Sequence, residues 1–210
     1  MMRVIAGRLR GRTILTPRGE QTRPTLSRIR QSLFDRIQPV LGGATCLDLF
    51  AGSGALGIEA LSRGAAACWF VEKDPRALAC LRANLVRLSL VEQGRVLSRP
   101  VERFLRSPAG LRRDVRFDIV FADPPYLRGL VQPTLQGLSV FPALAAGAWL
   151  IVQHSPREEL GVIPPNIDLI RSDRYGETVI SLLQVRPEAR RAQHESDQPS
   201  SVTGSAGGDD

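Results

Sequence analysis

Short apolar runs alternate with helical segments along most of this 210-residue chain. The apolar runs that we predict to be strands are residues 46–50, 67–71, 95–98, 117–122 and 148–152. The helical segments between them are residues 55–62, 75–88, 101–106 and 130–138. Such alternation predicts an α/β, doubly wound, Rossmann-like sheet that is mostly parallel, with helices on both faces. Residues 167–174 and 178–185 surround a turn and predict an antiparallel edge at the C-terminal side of the sheet.

The first 36 residues carry the basic character of the chain. They contain nine arginines and two acidic residues, so their net charge of +7 equals the formal charge of the whole sequence. Gly7 and Gly11 separate two short β-favouring runs, which predicts a basic N-terminal hairpin or arm over residues 1–22. Clustered cations favour a polyanionic partner such as a nucleic acid. The side chains predicted to contact its phosphates are Arg8, Arg10, Arg12, Arg23, Arg28 and Arg30.

A helix is predicted to follow the arm. Thr25 is suited to be its N-cap. The apolar residues that recur at helical spacing are Leu26, Ile29, Leu33 and Ile37. We expect the helix to end before Pro39, because proline removes a backbone donor and clashes with the preceding turn. Its apolar side should face the core and its basic side should face outward.

Residues 23–185 are expected to form the folded domain, and the polar, Gly/Ser-rich residues 186–210 a disordered tail. The three cysteines lack metal-like or redox-like spacing, so we predict reduced core thiols and no metal site. The N-terminus has no apolar signal segment, and no apolar stretch is long enough to span a bilayer. These features predict a cytoplasmic protein without a membrane partner. We also expect the chain to be a monomer.

A glycine-rich turn joins the first strand of the alternation to its helix. Gly52, Gly54 and Gly57 form the pattern G-x-G-x-x-G, and Glu72 follows Gly54 by 18 residues, at the end of the next strand. In this context the glycines allow a ligand to approach the backbone, and the helix N-terminus supplies donors. The Glu72 carboxylate can accept both hydroxyls of a ribose. The remaining residues predicted to contact such a cofactor are Phe50, Ser53 and Lys73.

Two carboxylates decide which cofactor suits this edge of the sheet. Asp48 precedes Gly52 by four residues, and Asp123 ends the strand predicted over residues 117–122. Unless they are strongly desolvated, both should be ionised at neutral pH, because the reference pKa of aspartate is about 3.9. Acids repel the pyrophosphate of a dinucleotide but attract an ammonium or a sulfonium. We therefore favour S-adenosylmethionine, with a nucleotide-dependent dehydrogenase as the alternative.

A stiff polar spur follows the same strand. Pro124 and Pro125 lack backbone N–H groups and restrict the residues that precede them, so Asp123-Pro124-Pro125-Tyr126 should leave the sheet in an extended conformation. This spur presents the carboxylate of Asp123, the carbonyl of Pro124 and the ring of Tyr126. Such a set suits a planar ring that carries an amino group.

Several of these motifs together resemble the bacterial small-subunit ribosomal RNA guanine-N2 methyltransferases of the RsmD type. The resemblance covers residues 3–185, and the segments that carry it are residues 48–65, 23–34, 123–126 and 175–178. The chain departs from the family pattern at Ser27, where an acid is usual. It departs again at residues 99–102, where such enzymes often present a polar side chain to adenine. There we expect an adenine contact from the backbone or from Glu102.

The resemblance implies a class I S-adenosylmethionine-dependent methyltransferase fold. It also implies methylation of the exocyclic N2 of one guanine in 16S ribosomal RNA, within the small subunit or an assembly intermediate. The residues that would act directly on the base are Asp123, Pro124, Pro125 and Tyr126. One alternative is amino-group methylation of adenine or cytosine in DNA or another RNA. Another is a non-catalytic ribosome-assembly factor that keeps the same fold.

Overall fold

The computed structural model describes residues 2–17 and 24–187. In chain order, its strands are β1 (Met2–Arg3), β2 (Thr13–Ile14), β3 (Thr45–Leu49), β4 (Ala67–Glu72), β5 (Gly94–Ser98), β6 (Phe117–Ala122), β7 (Leu144–His154), β8 (Ile167–Tyr175) and β9 (Thr178–Val185). Its helices are α1 (Pro24–Leu41), α2 (Ala55–Ser62), α3 (Pro75–Arg87), α4 (Val101–Arg106) and α5 (Val131–Ser139). The pattern of alternating strands and helices is therefore present as expected.

Seven of the strands form one sheet in the order β5-β4-β3-β6-β7-β9-β8. The pairs from β5 to β7 are parallel, whereas β9 runs antiparallel to both β7 and β8. This arrangement confirms the predicted α/β class and the antiparallel edge. The strand order reverses between β3 and β6, which lie side by side in the middle of the sheet. A crevice at the carboxyl ends of strands beside such a reversal is the usual ligand site of an open α/β sheet.

Two predicted boundaries of helix α1 are wrong. The helix begins at Pro24, so Thr25 lies inside its first turn rather than at its cap, and it continues through Pro39 to Leu41. Proline at position 39 removes one backbone hydrogen bond. The last turn is nevertheless held against the core, because Ile37 is 2% exposed and Leu41 is fully buried.

The N-terminal arm is a short hairpin that belongs to the protein core. Strands β1 and β2 pair antiparallel, with Met2 opposite Ile14 and Arg3 opposite Thr13. Val4 and Ile14 are buried in the same apolar cluster as Ile29 of α1. A buried carboxylate, Glu59 of α2, accepts hydrogen bonds from the backbone N–H groups of residues 5 and 6. The arm is thus fixed to the sheet domain by both apolar and polar contacts.

Arg186, the first residue of the predicted tail, is attached to the sheet. Arg186 is bound to Asp168 of β8 through two hydrogen bonds of 2.9 and 2.6 Å, so the chain is still attached to the sheet edge at this point. The remainder of the predicted tail, residues 188–210, lies outside the described residues, as do residues 1 and 18–22 of the predicted arm and Arg23. No helix within the described ranges is long and apolar enough to cross a membrane.

Candidate active site

A cleft of about 1110 Å³ opens at the carboxyl ends of β3, β4, β6 and β7. It brings together most of the residues that the sequence suggested for cofactor and base. The predicted residues that line it are Asp48, Phe50, Gly52, Ser53, Glu72, Lys73, Glu102, Asp123, Pro124, Pro125 and Tyr126. Gly54 lies just behind this wall, where it is the N-cap of α2.

The glycine turn is shaped by two positions that exclude larger residues. Gly54 has a φ of 85°, a left-handed conformation that glycine adopts without strain. Gly57 packs so closely on β4 that a Cβ there would lie 2.3 Å from the ring of Phe70 and 2.5 Å from the Sγ of Cys68. This close approach places the N–H of Gly57 2.9 Å from Oδ2 of Asp48, to which it donates. The third glycine therefore sets the position of an acid in the cleft wall.

Asp48 is only 1% exposed, so the condition attached to its predicted ionisation, that it is not strongly desolvated, is not met. Burial raises the pKa of Asp48 well above its usual range, the hydrogen bond from Gly57 opposes this shift, and the charges of Asp123 and Glu72 add to it. The free protein consequently favours the neutral acid more than an exposed aspartate does. A cationic ligand in the cleft would lower the pKa again by stabilising the carboxylate.

Glu72 is less available to a ribose than the sequence suggested. Its Oε1 accepts from the N–H groups of Lys73 and Asp74 at 2.7 and 2.8 Å, and its Oε2 accepts from Gly52 at 2.7 Å. Each carboxylate oxygen has two lone pairs, so these three bonds leave capacity mainly on Oε2. The carboxylate therefore ties the glycine turn to the end of β4, and a diol must share it with the backbone.

The spur is held by a chain of polar contacts with the neighbouring strands. Gln153 donates from Nε2 to Oδ1 of Asp123 at 3.0 Å and to the Tyr126 hydroxyl at 3.2 Å. That hydroxyl lies 3.1 Å from Oγ1 of Thr178 on β9. Burial raises the pKa of Tyr126, and the charge of Asp123 adds to the shift. The Tyr126 hydroxyl therefore stays protonated, and its hydrogen bonds to Gln153 and Thr178 hold the ring at the cleft wall.

Gln153 and Thr178 line the cleft, and neither was among the predicted site residues. A local signal existed for Gln153, because it follows the apolar run 148–152 and polar residues at the carboxyl ends of parallel strands meet at one edge. Thr178 does not end a parallel strand, and the signal that could have found it is its place in the segment 175–178, which carries the family resemblance. It reaches the spur because β9 inserts between β7 and β8.

Other walls of the cleft come from the arm and from the turn after β5. Met2 and Pro17 contribute from the arm side, so the N-terminal segment borders the candidate site. Arg99, Val101 and Glu102, which follow β5, also line the cleft. Both expected sources of an adenine contact, the backbone and Glu102, are therefore close to the cleft. Among residues 2–17 and 24–187, no cluster of His, Cys, Asp and Glu is arranged to hold a metal ion.

The predicted RNA-contacting arginines fall into three groups. Arg8, Arg10, Arg12 and Arg28 are exposed, whereas Arg23 lies outside the described residues. Arg30 is a correction, because it is only 7% exposed. Its guanidinium donates to the carbonyl of Arg3 at 2.6 Å and lies 4.0 Å from the buried Glu59 carboxylate. Arg30 thus fixes the arm to α1, and its burial is incompatible with a phosphate contact.

The strand order, the glycine turn with its adjacent acids, and the Asp-Pro-Pro-Tyr spur together define a class I methyltransferase. The chain belongs to the family described as conserved hypothetical protein 95, whose model matches residues 2–184. This result confirms the resemblance drawn from the motifs.

Named relatives agree with that assignment. The chain is 38% identical over 196 residues to ribosomal RNA small subunit methyltransferase D of Escherichia coli K12, with 93% of each protein covered. It is 35% identical over 176 residues to the protein of the same name in Haemophilus influenzae, covering 83% of this chain and 89% of the relative. The solved structure of yhhF from Escherichia coli matches with a TM-score of 0.76 at 36% identity, over 88% of this chain and 98% of that chain. These similarities confirm the expected class of enzyme, an rRNA methyltransferase.

Proposed function

We propose that this protein transfers a methyl group from S-adenosylmethionine to the exocyclic N2 of one guanine in 16S ribosomal RNA. The substrate would be the small ribosomal subunit or an assembly intermediate, and the enzyme would act in the cytoplasm as a monomer. The observation that carries the proposal is the cleft itself. It joins a buried acid beside a glycine turn, at Asp48, to a carboxylate and a carbonyl on a rigid spur, at Asp123 and Pro124.

The chemistry of the cleft wall fits the proposed cofactor. When bound, S-adenosylmethionine supplies an electrophilic methyl group on a sulfonium. Asp48, Glu72 and Asp123 all line the cleft, and three neighbouring acids favour a cationic ligand over a pyrophosphate. Glu72 would share its Oε2 with the ribose, and the turn at Gly52 and Ser53 would border the amino-acid part. Tight binding of NADH without binding of S-adenosylhomocysteine would contradict this choice of cofactor.

The spur accounts for the activation of a poor nucleophile. The lone pair of an aryl amine is delocalised into its ring. Hydrogen bonds from its two N–H groups to the Asp123 carboxylate and the Pro124 carbonyl would favour a pyramidal nitrogen whose lone pair points out of the ring plane. Transfer would form the new N–C bond and break the methyl–sulfur bond, which leaves S-adenosylhomocysteine as a neutral thioether. The alkylated nitrogen would then be acidic and could release one proton towards Asp123. Alignment of this kind is worth about 7–11 kcal/mol in favourable cases.

The base must leave its stack to reach the spur, as in other enzymes that modify nucleobases. The Tyr126 ring lines the cleft beside Asp123 and would stack on the extruded guanine. The exposed side chains of Arg8, Arg10, Arg12 and Arg28 would bind phosphates of the surrounding RNA. Contacts with phosphates make the affinity decrease with salt concentration.

The direct test compares two aspartates at opposite ends of β6, Asp118 near its start and Asp123 immediately after its end. In a strain that lacks the gene, 16S ribosomal RNA is analysed by mass spectrometry after complementation with wild type, Asp123→Ala or Asp118→Asn. Asp118 lies at the opposite end of β6, is exposed and accepts from the N–H of Thr45. We expect wild type and Asp118→Asn to restore one N2-methylguanine and Asp123→Ala to restore none, although it still binds S-adenosylhomocysteine.

Each alternative has its own signature in this experiment. A methylated adenine or cytosine in place of guanine would replace the proposed substrate. Full methylation by Asp123→Ala would show that the spur is not catalytic. Normal subunit assembly with no methylation by any variant, including wild type, would favour a non-catalytic assembly factor.

A further inference from the structure

We propose that Gln153 is a positioning residue, whose side-chain amide fixes the Asp123 carboxylate relative to the Tyr126 ring. This inference rests on the proposed function, because it concerns how the same spur holds its amine. Gln153 carries no charge and has no place in the motifs that identify the site. Its role follows from two hydrogen bonds made by a single nitrogen atom.

The geometry gives those two hydrogen bonds a fixed direction. The amide nitrogen Nε2 has two hydrogens. It lies 3.0 Å from Oδ1 of Asp123 and 3.2 Å from the Tyr126 hydroxyl oxygen, so it can donate one hydrogen to each. The Tyr126 hydroxyl accepts from Gln153 and shares a further hydrogen bond of 3.1 Å with Oγ1 of Thr178. The result is one directed network in which Gln153 is the donor to both spur side chains.

The fold makes Gln153 a firmer support than the spur itself. The spur begins where β6 ends, and its two prolines cannot donate ladder hydrogen bonds. Gln153 lies inside β7, which continues to His154 and pairs with β9 through Gln153 opposite Ile180. The β6–β7 register of Ala122 opposite Val152 brings Gln153 beside the first residue of the spur. Side chains on strands hold a site more accurately than side chains on loops.

The chemistry of the amide also suits the task. A neutral donor stabilises the ionised form of Asp123 while leaving the carboxylate as an acceptor for the amine. A cation at this position would compete with the substrate amine for the carboxylate. An acid there would repel Asp123 and favour its protonation. An amide therefore orients the acceptor without neutralising it.

The test uses two Gln153 variants and one matched control. Gln153→Met keeps the length of the side chain but removes both donors, and Gln153→Glu keeps the shape but adds a charge. Gln184→Met is the control, because Gln184 is a half-buried strand glutamine whose Nε2 donates to the carbonyl of Gly147 at 3.1 Å. The measurements are single-turnover methylation of purified small subunits, the pH dependence of that rate, and the affinity for S-adenosylhomocysteine.

Loss of alignment by about 1 Å costs on the order of 10²-fold in rate, so we expect Gln153→Met to slow methylation by roughly that factor. Its affinity for S-adenosylhomocysteine should stay within about twofold of wild type, which corresponds to a change in binding free energy of less than about 0.5 kcal/mol. Gln153→Glu should move the acidic limb of the pH–rate profile to higher pH, because a second acid raises the pKa of Asp123. The control should change none of these values.

A wild-type rate and pH profile in both Gln153 variants would overturn the inference. So would losses in Gln153→Glu that fall equally on rate, cofactor affinity and folding, because these describe a merely structural residue. The failure of the proposed function looks different. In that case wild type does not methylate guanine, or Asp123→Ala still does, whatever the Gln153 variants show.

Discussion

Replacing the buried acid Glu59 should lower the free energy of unfolding more than replacing an exposed acid. Glu59 is fully buried in α2. Its carboxylate accepts from the N–H of Ile5 at 2.8 Å, from the N–H of Ala6 at 3.0 Å and from Nε of Arg63 at 2.8 Å. The Nε of Arg30 lies 4.0 Å away. One acid therefore holds the N-terminal arm and balances two buried cations.

The substitution Glu59→Gln removes the charge but keeps the size of the side chain. The glutamine keeps one oxygen acceptor. Its –NH2 group replaces the other oxygen and, being itself a donor, cannot accept a hydrogen bond from the N–H groups that face it. Hydrogen bonds to a charged group contribute about 1.5–3 kcal/mol each, and these values are not additive. Removing one partner of a buried ion pair costs about 3–5 kcal/mol. We expect a loss in this range, which corresponds to roughly 6–20 °C in Tm for a chain of this size.

Asp35 provides the matched control, because it binds the same arginine from the surface. Its Oδ1 lies 3.2 Å from Nη1 of Arg63, and its side chain is 56% exposed. Exposed pairs contribute about 0–1 kcal/mol, so Asp35→Asn should change stability little. Both variants are measured by urea unfolding under the same conditions. A loss of unfolding free energy in Glu59→Gln no larger than that in Asp35→Asn would refute the role assigned to Glu59.

Three further predictions concern Arg28, Arg30 and Asp48. Arg28→Gln should reduce the steepness with which the RNA-binding constant falls with salt, by about 1 in the slope of log K against log salt concentration, with nearly unchanged stability. Arg30→Gln, at a buried position, should instead lower the free energy of unfolding by about 1–3 kcal/mol. Filter binding measures the salt slope, and urea unfolding measures the stability, for both variants. The pKa of Asp48 is raised in the folded protein, so the unfolded chain ionises first and stability should fall as pH rises from about 4 through the raised pKa. Over the same window, a cationic cofactor should bind more tightly with rising pH and release a proton. Titration calorimetry with S-adenosylmethionine should show the tighter binding and the proton release in wild type, and Asp48→Asn should abolish both.

The sequence was most informative where the signal is local. Four elements, residues 55–62, 101–106, 117–122 and 178–185, have the predicted bounds. The apolar runs and helical periods that define them depend only on near neighbours in the chain. The glycine turn and the spur were found for the same reason, since each concentrates its chemistry in a few consecutive residues.

Prediction failed where a residue's environment is set by distant parts of the chain. Arg30 looked like a surface cation because its balancing acid, Glu59, stands 29 positions later on another helix. Helix α1 passes Pro39 because apolar contacts hold its last turn, and these contacts are not visible in a helical pattern. Thr178 reaches the spur only because β9 pairs with β7 before β8. Non-consecutive strand order is a property of the assembled sheet.

The arm that would bind RNA and the turn that would bind the cofactor share a buried side chain. Asn84 of α3 exchanges two hydrogen bonds with the backbone of Leu15, at 2.8 and 2.9 Å, and donates to the carbonyl of Ser53 at 3.0 Å. Deleting residues 1–22 would leave the buried Asn84 amide with unsatisfied groups and would remove Val4 and Ile14 from the core. A loss of RNA binding after such a deletion would therefore mix misfolding with lost contacts. Substitution of the exposed arginines, one at a time, separates the two effects.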